Sequence, residues 1–408
     1  MAGLNETPSG ERVHIGFFGV RNAGKSSLVN AVTGQDLAVV SNVAGTTTDP
    51  VRKAMELLPV GPVLIVDTPG IDDAGDLGAL RVEKARRALD ATDVAVLVVD
   101  ATRGITPVDS ELVAEFRKRS VPYVIAWNKA DAVDGRYGAD RREPAHDEAG
   151  CPFCQVRISA TEGEGVDELK QAIAALGKGA DGRRKLVSDL VGTGDVVVLV
   201  VPIDSAAPKG RLILPQQQVI RDIVESQAIA CVTSVEALAE TLASLSGPPK
   251  LVITDSQAFG AVAAIIPDDM PLTSFSILMA RYKGTLPVQM DAVDALDGLG
   301  DGDTVLISEG CTHHRQCGDI GTVKIPAWVR GMCSANPRFT FTSGGEFPTS
   351  FDGVRAVIHC GGCMLNAREM EHRAQTAASV GVPFTNYGMV IAKANGLLER
   401  ALAPLDSP

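Results

Sequence analysis

The short stretch GVRNAGKSS constrains the fold of this chain more than any other feature. It follows the apolar run Val13–Phe18, and residues 19–26 fit the pattern G-x-x-x-x-G-K-[ST] of a phosphate-binding loop. The glycines let backbone N–H groups turn toward phosphate oxygens, and the dipole of the following helix favours negative charge. Lys25 is expected to reach the β- and γ-phosphates, and the Ser26 hydroxyl to bind Mg²⁺. The N-terminal part is therefore predicted to be an α/β domain that binds a nucleoside triphosphate.

A second motif, VLIVDTPG, predicts how the magnesium ion and the γ-phosphate are held. Its apolar run is typical of a buried strand, and the strand is expected to end at Asp67, whose carboxylate can hold Mg²⁺ through water. The backbone N–H of Gly70 can sense the γ-phosphate. The next residue is Ile71, so the water-orienting glutamine of many small GTPases is missing at that place.

Two further motifs predict that the base is guanine. VIAWNKAD, residues 124–131, reads as another strand, and the carboxylate of Asp131 can accept hydrogen bonds from guanine N1–H and N2–H₂. Adenine lacks this pair of donors. Ser159 and Ala160 follow a strand-like run and are expected to pack against guanine O6. Four motifs in this order, each at a strand end, predict a GTPase domain.

The motifs GxxxxGKS, DTPG, NKAD and SA resemble those of the Era- and MnmE-like GTPases of the translation-factor class, over roughly residues 11–178. The segment VAGTTTDP resembles that group's G-T-T-R-D pattern, with Thr48 in place of the arginine. The resemblance implies that Thr47 is a magnesium ligand, with Thr46 and Thr48 as close competitors. The alternative is that these threonines form an ordinary polar turn.

The same resemblance implies a potassium ion at the phosphate loop, held by Asn22. In that group the ion supplies the positive charge that an arginine finger otherwise provides, so slow, potassium-stimulated hydrolysis is expected. Such a slow site suits a switch better than a metabolic catalyst. The alternative is that Asn22 only stabilises the loop. The residues expected to contact GTP or GDP are Gly19, Asn22, Ala23, Gly24, Lys25, Ser26, Ser27, Thr47, Asp67, Gly70, Asn128, Lys129, Asp131, Ser159 and Ala160, with Lys25, Thr47, Gly70 and Asn22 as the catalytic set and Ser26, Thr47 and Asp67 around Mg²⁺.

Two groups of cysteines and histidines nearer the other end of the chain indicate a metal. EGCTHHRQCGD contains Cys311-x-His313, and IHCGGCM contains His359-Cys360-x-x-Cys363. A C-x-x-C turn points both thiolates the same way, and the glycines between them let backbone N–H groups approach the sulfurs. Two Cys and two His would form a closed zinc site, whereas three Cys with a replaceable fourth ligand fit a [4Fe–4S] cluster. The pattern alone leaves both open, beside the alternative of buried, unliganded cysteines.

A GTPase domain, a middle α/β unit and a C-terminal C-x-H … H-C-x-x-C together resemble the [FeFe]-hydrogenase maturation GTPases, the HydF family. The phrases HHRQCGDIGTVKIP, VIHCGGCMLN and TSFSILMARYKG look like that family's signature, so the resemblance covers essentially the whole chain. It implies a scaffold whose [4Fe–4S] cluster helps hold a di-iron precursor of the H-cluster, which bears CO, cyanide and a dithiolate bridge. The implied partners are two radical-SAM maturation enzymes, which assemble the precursor, and the apo-[FeFe]-hydrogenase, which receives it.

By position, the resemblance assigns the cluster thiolates to Cys311, Cys360 and Cys363. The fourth ligand stays open. A weak fourth ligand makes chemical sense, because a delivered fragment needs a site that it can displace. The first candidates are His359 and His313, and the further ones are Glu309 and His314.

The other cysteines are interpreted as structural. Cys317 and Cys333 lie outside the metal motif. Cys151 and Cys154 form a C-x-x-C between the NKAD and SA motifs, but no second pair lies nearby in sequence. Because this C-x-x-C falls where the fold places a strand, packing is favoured over a redox or metal role.

The hydrophobic pattern predicts three domains, with a polar, glycine-rich linker over residues 177–186. They are a P-loop GTPase domain at residues 8–178, a small α/β dimerisation domain at 186–270, and an α/β iron–sulfur cluster-binding domain at 271–408. The middle one reads strand, helix, helix, strand, helix and is expected to pair its sheet edge with a second copy. The family's middle domain mediates dimers, so a homodimer is expected.

Composition limits the alternatives. The net charge of −12 argues against nonspecific binding to nucleic acid, which needs a basic surface. The longest apolar runs are too short to span a bilayer, and no secretory signal opens the sequence, so a cytoplasmic protein without a membrane partner is expected. Eight cysteines in a reducing compartment suggest metal rather than disulfides. The competing functions are a MnmE-like GTPase switch in RNA modification with a C-terminal zinc module, and a redox enzyme that uses the cluster for electron transfer.

Overall fold

The computed structural model describes residues 7–35, 50–70, 76–133, 141–181, 185–203, 212–310 and 319–405. The chain divides into two compact units, Met1–Arg183 and Arg184–Pro408. The strands of the first unit are β1 (Val13–Phe18), β2 (Val51–Leu57), β3 (Gly61–Asp67), β4 (Val94–Asp100), β5 (Tyr123–Asn128), β6 (Arg141–His146) and β7 (Pro152–Arg157), and its helices are α1 (Lys25–Thr33), α2 (Asp76–Asp90), α3 (Pro107–Lys118) and α4 (Val166–Asp181).

The first unit is a seven-stranded sheet in the order β2-β3-β1-β4-β5-β7-β6, covered by helices on both faces. The strands are parallel except at the two edges, where β2 is antiparallel to β3 and β6 to β7. In β4, Val96 joins the apolar cluster that contains Leu28 of α1, whereas Leu97 joins the cluster that contains Phe116 of α3. This explains the uninterrupted apolar runs of the central strands, which are buried on both faces. The carboxyl ends of β1, β3 and β5 lie at one edge of the sheet, and the nucleotide motifs follow them.

The second unit contains two four-stranded parallel sheets. The strands and helices of its middle part are β8 (Val196–Val200), α5 (Leu214–Glu225), β9 (Ile229–Thr233), α6 (Leu238–Ser244), β10 (Leu251–Thr254), α7 (Phe259–Ala263), β11 (Leu272–Ser274) and α8 (Phe275–Tyr282). Those of its C-terminal part are α9 (Leu286–Val293), β12 (Thr304–Glu309), α10 (Ile325–Cys333), β13 (Arg338–Ser343), β14 (Val354–His359), α11 (Ala367–Ser379), β15 (Phe384–Asn386), α12 (Tyr387–Ala394) and α13 (Leu398–Leu402).

Both sheets have the same topology. Their orders are β11-β10-β8-β9 and β13-β12-β14-β15, so in each sheet the second strand lies on one side of the first, and the third and fourth on the other. Where strand order reverses in a parallel sheet, a crevice opens at the carboxyl ends of the two strands that flank the reversal. These switch points lie between β8 and β10, and between β12 and β14. One apolar cluster contains residues of both sheets, including Val198, Val252 and Ile358.

The structure differs from the predicted elements in two places. α4 continues through Gly177 and Gly179 to Asp181, so the helix extends into the segment predicted to be a linker. The predicted order of the middle part is wrong by one strand, because β9 lies between its first two helices. Its five residues, IACVT, are exposed or only half-buried and give a weak strand signal.

Cys151 and Cys154 are buried in the apolar clusters on the two faces of the sheet, which agrees with the packing interpretation. The Cys151 thiol donates to the carbonyl of Val121 (3.2 Å), and burial raises the pKa of Cys154 to about 11. Within the described ranges, no helix is both long enough and apolar enough to cross a membrane.

Candidate nucleotide and thiolate sites

The phosphate loop connects β1 to α1. Gly24, with a φ of 90°, precedes the helix, and a Cβ added there would lie 2.2 Å from the Asn128 side-chain nitrogen. The position therefore requires glycine. The buried Lys25 ammonium donates to the carbonyls of Gly19 (2.9 Å) and Val20 (2.8 Å). A positive charge thus lies inside the loop, where phosphate oxygens would bind.

The predicted magnesium residues Ser26 and Asp67 lie together. Ser26 Oγ donates to Asp67 Oδ2 (3.2 Å), and Asp67 Oδ1 is buried without a hydrogen-bond partner among the described residues. Burial raises the pKa of Asp67, although Lys25 and the Ser26 hydroxyl oppose the rise. An orphaned carboxylate oxygen beside a serine hydroxyl fits the oxygen ligands that Mg²⁺ prefers. Thr47, the third predicted ligand, is outside the described residues.

Asn128 connects the phosphate loop to the SA loop. Its side-chain nitrogen donates to the Ala23 carbonyl (2.9 Å), and its oxygen accepts from the Ala160 backbone N–H (3.1 Å). Ser159 is buried, and its hydroxyl contacts Thr161 Oγ1 (3.1 Å). The asparagine is therefore a structural connection between the parts of the site that hold phosphate and base.

Lys129 and Asp131 lie on the other side of this asparagine. The Lys129 ammonium donates to the Asn22 carbonyl (2.9 Å) and to Asp100 Oδ2 (2.6 Å), which fixes the phosphate loop from its outer side. Asp131 is exposed, as expected for a residue that contacts the base.

Sequence reasoning missed Asp100, the last residue of β4. Although burial opposes it, hydrogen bonds from Lys129 and Thr102 lower the pKa of this carboxyl group. The available signal was a carboxylate at the end of an apolar run, in the strand that precedes the strand of the NKAD motif.

The remaining predicted nucleotide residues follow the same edge of the sheet. A Cβ added at Gly70 would lie 3.0 Å from Arg21 Cα, so the DTPG loop touches the phosphate loop. Asn22 is exposed, with a φ of 61°, and Ser27 lies in the first turn of α1. Except for Thr47, the structure therefore brings the predicted residues of this site together.

Cys360 and Cys363 lie at the switch point between β12 and β14. Cys360 Sγ accepts hydrogen bonds from the backbone N–H groups of Gly310 (3.1 Å) and Gly362 (3.4 Å). Burial raises the pKa of the Cys360 thiol to about 11, and these two hydrogen bonds oppose the rise. Apart from its chain neighbours, the described atom nearest to a Cβ added at Gly361 is Ser276 Oγ, at 3.9 Å. A sulfur cradled by backbone N–H groups beside such glycines fits a thiolate-bound metal centre.

Cys311 and His313, the other predicted ligands, fall outside the described residues, as does His314. Among the residues that are described, no group of three or more His, Cys, Asp or Glu is arranged to hold a metal ion.

His359 is buried, and both of its ring nitrogens are engaged. Nδ1 lies 2.8 Å from the Cys360 carbonyl, and Nε2 lies 3.0 Å from Arg373 Nη1. Because the guanidinium can only donate, Nε2 accepts and Nδ1 carries the proton. Burial first, and then the Arg373 charge, lower the pKa of His359 to about 3, so the ring is neutral. In this arrangement the imidazole stabilises the backbone at Cys360 and presents no lone pair to a metal.

Glu309 ends β12 at the same switch point. It is buried, and its Oε1 accepts from the Tyr387 hydroxyl (3.1 Å). Burial, followed by the charges of Glu309 and Cys360, raises the pKa of Tyr387. Glu309 directly precedes Gly310, whose N–H donates to Cys360 Sγ. The Glu309 carboxylate is thus within the thiolate site.

Sequence reasoning also missed Lys283, which follows α8. Its side chain is only 1% exposed, and its ammonium donates to the Leu365 carbonyl (2.8 Å), two residues beyond Cys363. Burial raises the pKa of Cys363, and the Lys283 charge is the first factor that opposes the rise. The signal for this residue was its place in the phrase TSFSILMARYKG.

Three family models match successive parts of the chain. A model described as 50S ribosome-binding GTPase matches residues 14–129. The Hydrogen maturase F dimerization domain matches residues 186–284, and the Hydrogen maturase F tetramerization domain matches residues 287–404.

Each of two curated relatives matches about two fifths of the chain. The tRNA modification GTPase MnmE of Laribacter hongkongensis is 36% identical over 164 residues, which are 40% of this chain and 34% of that protein. The GTPase Der of Wolinella succinogenes is 33% identical over 174 residues, 42% of this chain and 36% of that protein. The chain thus spans only about a third of the length of these relatives.

Two solved structures match part of the chain with low TM-scores. A crystal structure of Aquifex aeolicus Era has 20% identity and a TM-score of 0.34, and covers 57% of this chain and 98% of that chain. A probable GTP-binding protein engB has 23% identity and a TM-score of 0.31, with coverages of 41% and 99%. The family models identify the chain more closely. Because the two Hydrogen maturase F models together match more than half of its length, behind an N-terminal P-loop GTPase domain, the chain belongs to the hydrogen maturase F family.

Proposed function

We propose that this chain is a GTP-hydrolysing scaffold that holds a [4Fe–4S] cluster together with a di-iron precursor and delivers the precursor to apo-[FeFe]-hydrogenase. Radical-SAM maturation enzymes would supply the precursor. The observation that carries the proposal is the thiol pair Cys360 and Cys363 at a sheet switch point, where Cys360 Sγ accepts hydrogen bonds from two backbone N–H groups. A bound cluster would supply an iron with an exchangeable coordination position.

The third thiolate of this proposal is Cys311, which follows Glu309 and Gly310 in sequence. For the fourth ligand, the contacts of His359 count against that residue, because Cys360 and Arg373 engage both ring nitrogens. Glu309 is buried at the same switch point and is favoured by its position. His313 and His314 are the remaining candidates. A carboxylate is a weak ligand for iron in a cluster otherwise bound by thiolates, and would suit a displaceable position.

Electron paramagnetic resonance after anaerobic reconstitution with iron and sulfide, followed by reduction, tests the cluster. We expect a [4Fe–4S]⁺ signal that is lost in Cys360→Ala and kept in Cys333→Ala, which removes a thiol outside the motif. No signal, with one zinc per chain in the purified protein, would instead favour the zinc-module switch.

The same spectra test the fourth ligand. Glu309→Gln should change the line shape of the reduced cluster, and His359→Asn should leave it unchanged even if the amount of cluster falls. The opposite pattern would assign the position to His359.

The nucleotide unit is proposed to hydrolyse GTP slowly, with potassium as an activating cation. Lys25 would bind the β- and γ-phosphates, Ser26 and Asp67 would hold Mg²⁺, and Gly70 would contact the γ-phosphate through its N–H. Asn22 is exposed at the rim of the loop, where its side chain is accessible to a cation. Hydrolysis should be faster in KCl than in NaCl, and Asn22→Ala should abolish that difference. Equal rates in both salts for the unmodified protein would exclude potassium activation.

GTP binding is proposed to change partner contacts, because switch segments reorder around the γ-phosphate. The affinity for apo-hydrogenase should differ between the protein bound to GDP and the protein bound to a non-hydrolysable GTP analogue. Equal affinities would refute this coupling, since a ligand shifts an equilibrium only by its differential affinity.

A further inference from the structure

Residues 184–408 contain an internal repeat. The segments PLTSFSILMARYKG (271–284) and PFTNYGMVIAKANG (383–396) share Pro, Thr, Ala and Gly at corresponding places, and most of their other positions are similar in character. Each segment forms the last strand of its sheet and the helix that follows, β11–α8 and β15–α12. Since both sheets also have the same strand order, the two halves are two copies of one parallel α/β unit.

The two copies contact each other reciprocally. Val252 pairs with Leu272 as Val357 pairs with Phe384, so β10 and β14 correspond residue by residue. Counting on from these strands at equal spacing makes Gly260 the counterpart of Leu365. The aligned segments make Lys283 the counterpart of Asn395. The Lys283 ammonium donates to the Leu365 carbonyl (2.8 Å). In the mirrored pair, a Cβ added at Gly260 would lie 2.9 Å from Asn395 Oδ1. In each copy, the end of the helix that follows the fourth strand therefore contacts the segment that follows the third strand of the other copy.

A second reciprocal pair supports the same symmetry. By the same correspondence, Ser256 matches Gly361, and Ser276 matches Gly388. An added Cβ at Gly388 would lie 3.3 Å from Ser256 Oγ, and one at Gly361 would lie 3.9 Å from Ser276 Oγ. Two reciprocal pairs of this kind define a pseudo-two-fold axis between the halves.

The copies differ in charge where they meet the thiolate loop. The first copy places a lysine against the loop that contains Cys363, whereas the second copy places the neutral Asn395 against Gly260, in the helical segment that follows β10. That segment has Ala258 at the place of Cys363 and Asp255 at the place of Cys360. Lys324 of the second copy also donates to Gln257 of that segment (2.7 Å), but this contact is exposed. Among the described residues, the buried lysine therefore lies on the side of the thiols.

We propose that Lys283 is a positioning residue for the thiolate site, supplied across the pseudo-two-fold axis by the first copy. It fixes the loop through the Leu365 carbonyl and provides a buried positive charge to an otherwise anionic set of ligands. The buried carboxylate of Glu309 lies in the same site, and Oε1 of the half-buried Glu371 would lie 2.8 Å from a Cβ added at Gly284, the residue after the lysine. Without the lysine, an anionic thiolate centre would be formed beside the buried Glu309 carboxylate at a high electrostatic cost.

The inference concerns the site of the proposed function, and the following experiment separates the two. The full-length chain, stripped of iron and reduced, is alkylated with anionic iodoacetate and with neutral iodoacetamide, and the rate at Cys363 is read by mass spectrometry. The rate with iodoacetate divided by the rate with iodoacetamide reports the local charge. Both reagents react with the same fraction of thiolate, which therefore cancels from this ratio. We expect the ratio to fall severalfold in Lys283→Gln, which keeps a hydrogen-bond donor, and to be restored in Lys283→Arg. Asn395→Ala, the change at the mirrored position, should leave the ratio unchanged.

An unchanged ratio in Lys283→Gln, or an equal fall in Asn395→Ala, would overturn the role of Lys283 whether or not a cluster binds. Where the unmodified protein takes up a cluster, its reduction potential should move to more negative values in Lys283→Gln and return in Lys283→Arg. A failure of the unmodified protein to take up any cluster would count against the proposed function, and the alkylation ratio would still decide the charge.

Discussion

The choice of base is proposed to depend on one side chain of the nucleotide unit. Asp131 is exposed beyond β5, while its neighbours Asn128 and Lys129 hold the phosphate loop. We therefore expect the Asp131 carboxylate to recognise the two donors of guanine.

Asp131→Asn should lower the affinity for GTP on the order of a hundredfold, because the amide replaces an acceptor with a donor opposite guanine N2–H₂. The same amide matches the carbonyl at position 2 of xanthine, so the affinity for xanthosine triphosphate should rise. Fluorescent-nucleotide titration measures both. If the affinities for both nucleotides fell together, the residue would act on the fold of the site rather than on the base.

At the scale of elements, α3 is connected to the turn between β6 and β7 by one carboxylate. Asp147 accepts hydrogen bonds from Arg117 Nε (2.7 Å), the Tyr123 hydroxyl (2.8 Å) and the backbone N–H groups of Ala149 and Cys151 (both 2.9 Å). Burial acts against them, but together these hydrogen bonds lower the pKa of Asp147 to about 2. The turn therefore depends on an ionised carboxylate.

Because the folded pKa lies below the unfolded value, Asp147 stabilises the fold above about pH 4, and this contribution is lost as the pH falls toward 2. Asp147→Asn should reduce the free energy of unfolding by about 2 kcal/mol at neutral pH and weaken its dependence on pH between about 4 and 2. Urea unfolding, monitored by hydrogen exchange of β5 and β7, measures the free energy of unfolding and its dependence on pH. Glu148→Gln removes an exposed carboxylate from the same turn and should change neither quantity.

The thiolate loop depends on a glycine in the left-handed region. Gly362 has a φ of 64°, and a Cβ added there would lie 2.4 Å from Sδ of the buried Met370. Gly362→Ala should shift the loop, weaken the N–H contact to Cys360 and reduce the iron retained after reconstitution severalfold. Gly345→Ala, at a glycine with open space around it, is the matched control. Equal iron contents in both variants would show that the loop tolerates the side chain.

At the scale of the molecule, β9 is an edge strand with exposed apolar side chains. Ile229 is 53% exposed and Val232 is 46% exposed, in the part of the chain that matches a dimerization domain. We expect Ile229→Lys to shift the mass measured by light scattering toward the monomer, because an edge charge opposes strand pairing. Val380→Lys, at a 60% exposed valine in the C-terminal part, should leave the dimer intact. If only Val380→Lys dissociated the dimer, the dimer contact would not involve β9.

The sequence was sufficient for the family and the fold class, because contiguous motifs at strand ends determine both. Burial on both faces makes β1, β4 and β5 apolar throughout, so they are easy to recognise. The half-exposed β9 gave no such signal, and glycines near the end of α4 suggested too early an end. Asp100 and Lys283 were missed because their roles come from tertiary neighbours, the one from Lys129 and the other from Leu365.

The reciprocal contacts across the pseudo-two-fold axis have an evolutionary consequence. A single-copy ancestor with this topology would have paired with itself through the surface that now lies between the halves of residues 184–408. In such a symmetric pair, any lysine against one loop implies a lysine against the other. Fusion of two gene copies removes that constraint. We infer that the interior of this unit is a former subunit interface, and that only after fusion could one side acquire thiols and a buried lysine while the other has Asp255, Ala258 and Asn395 at the corresponding places.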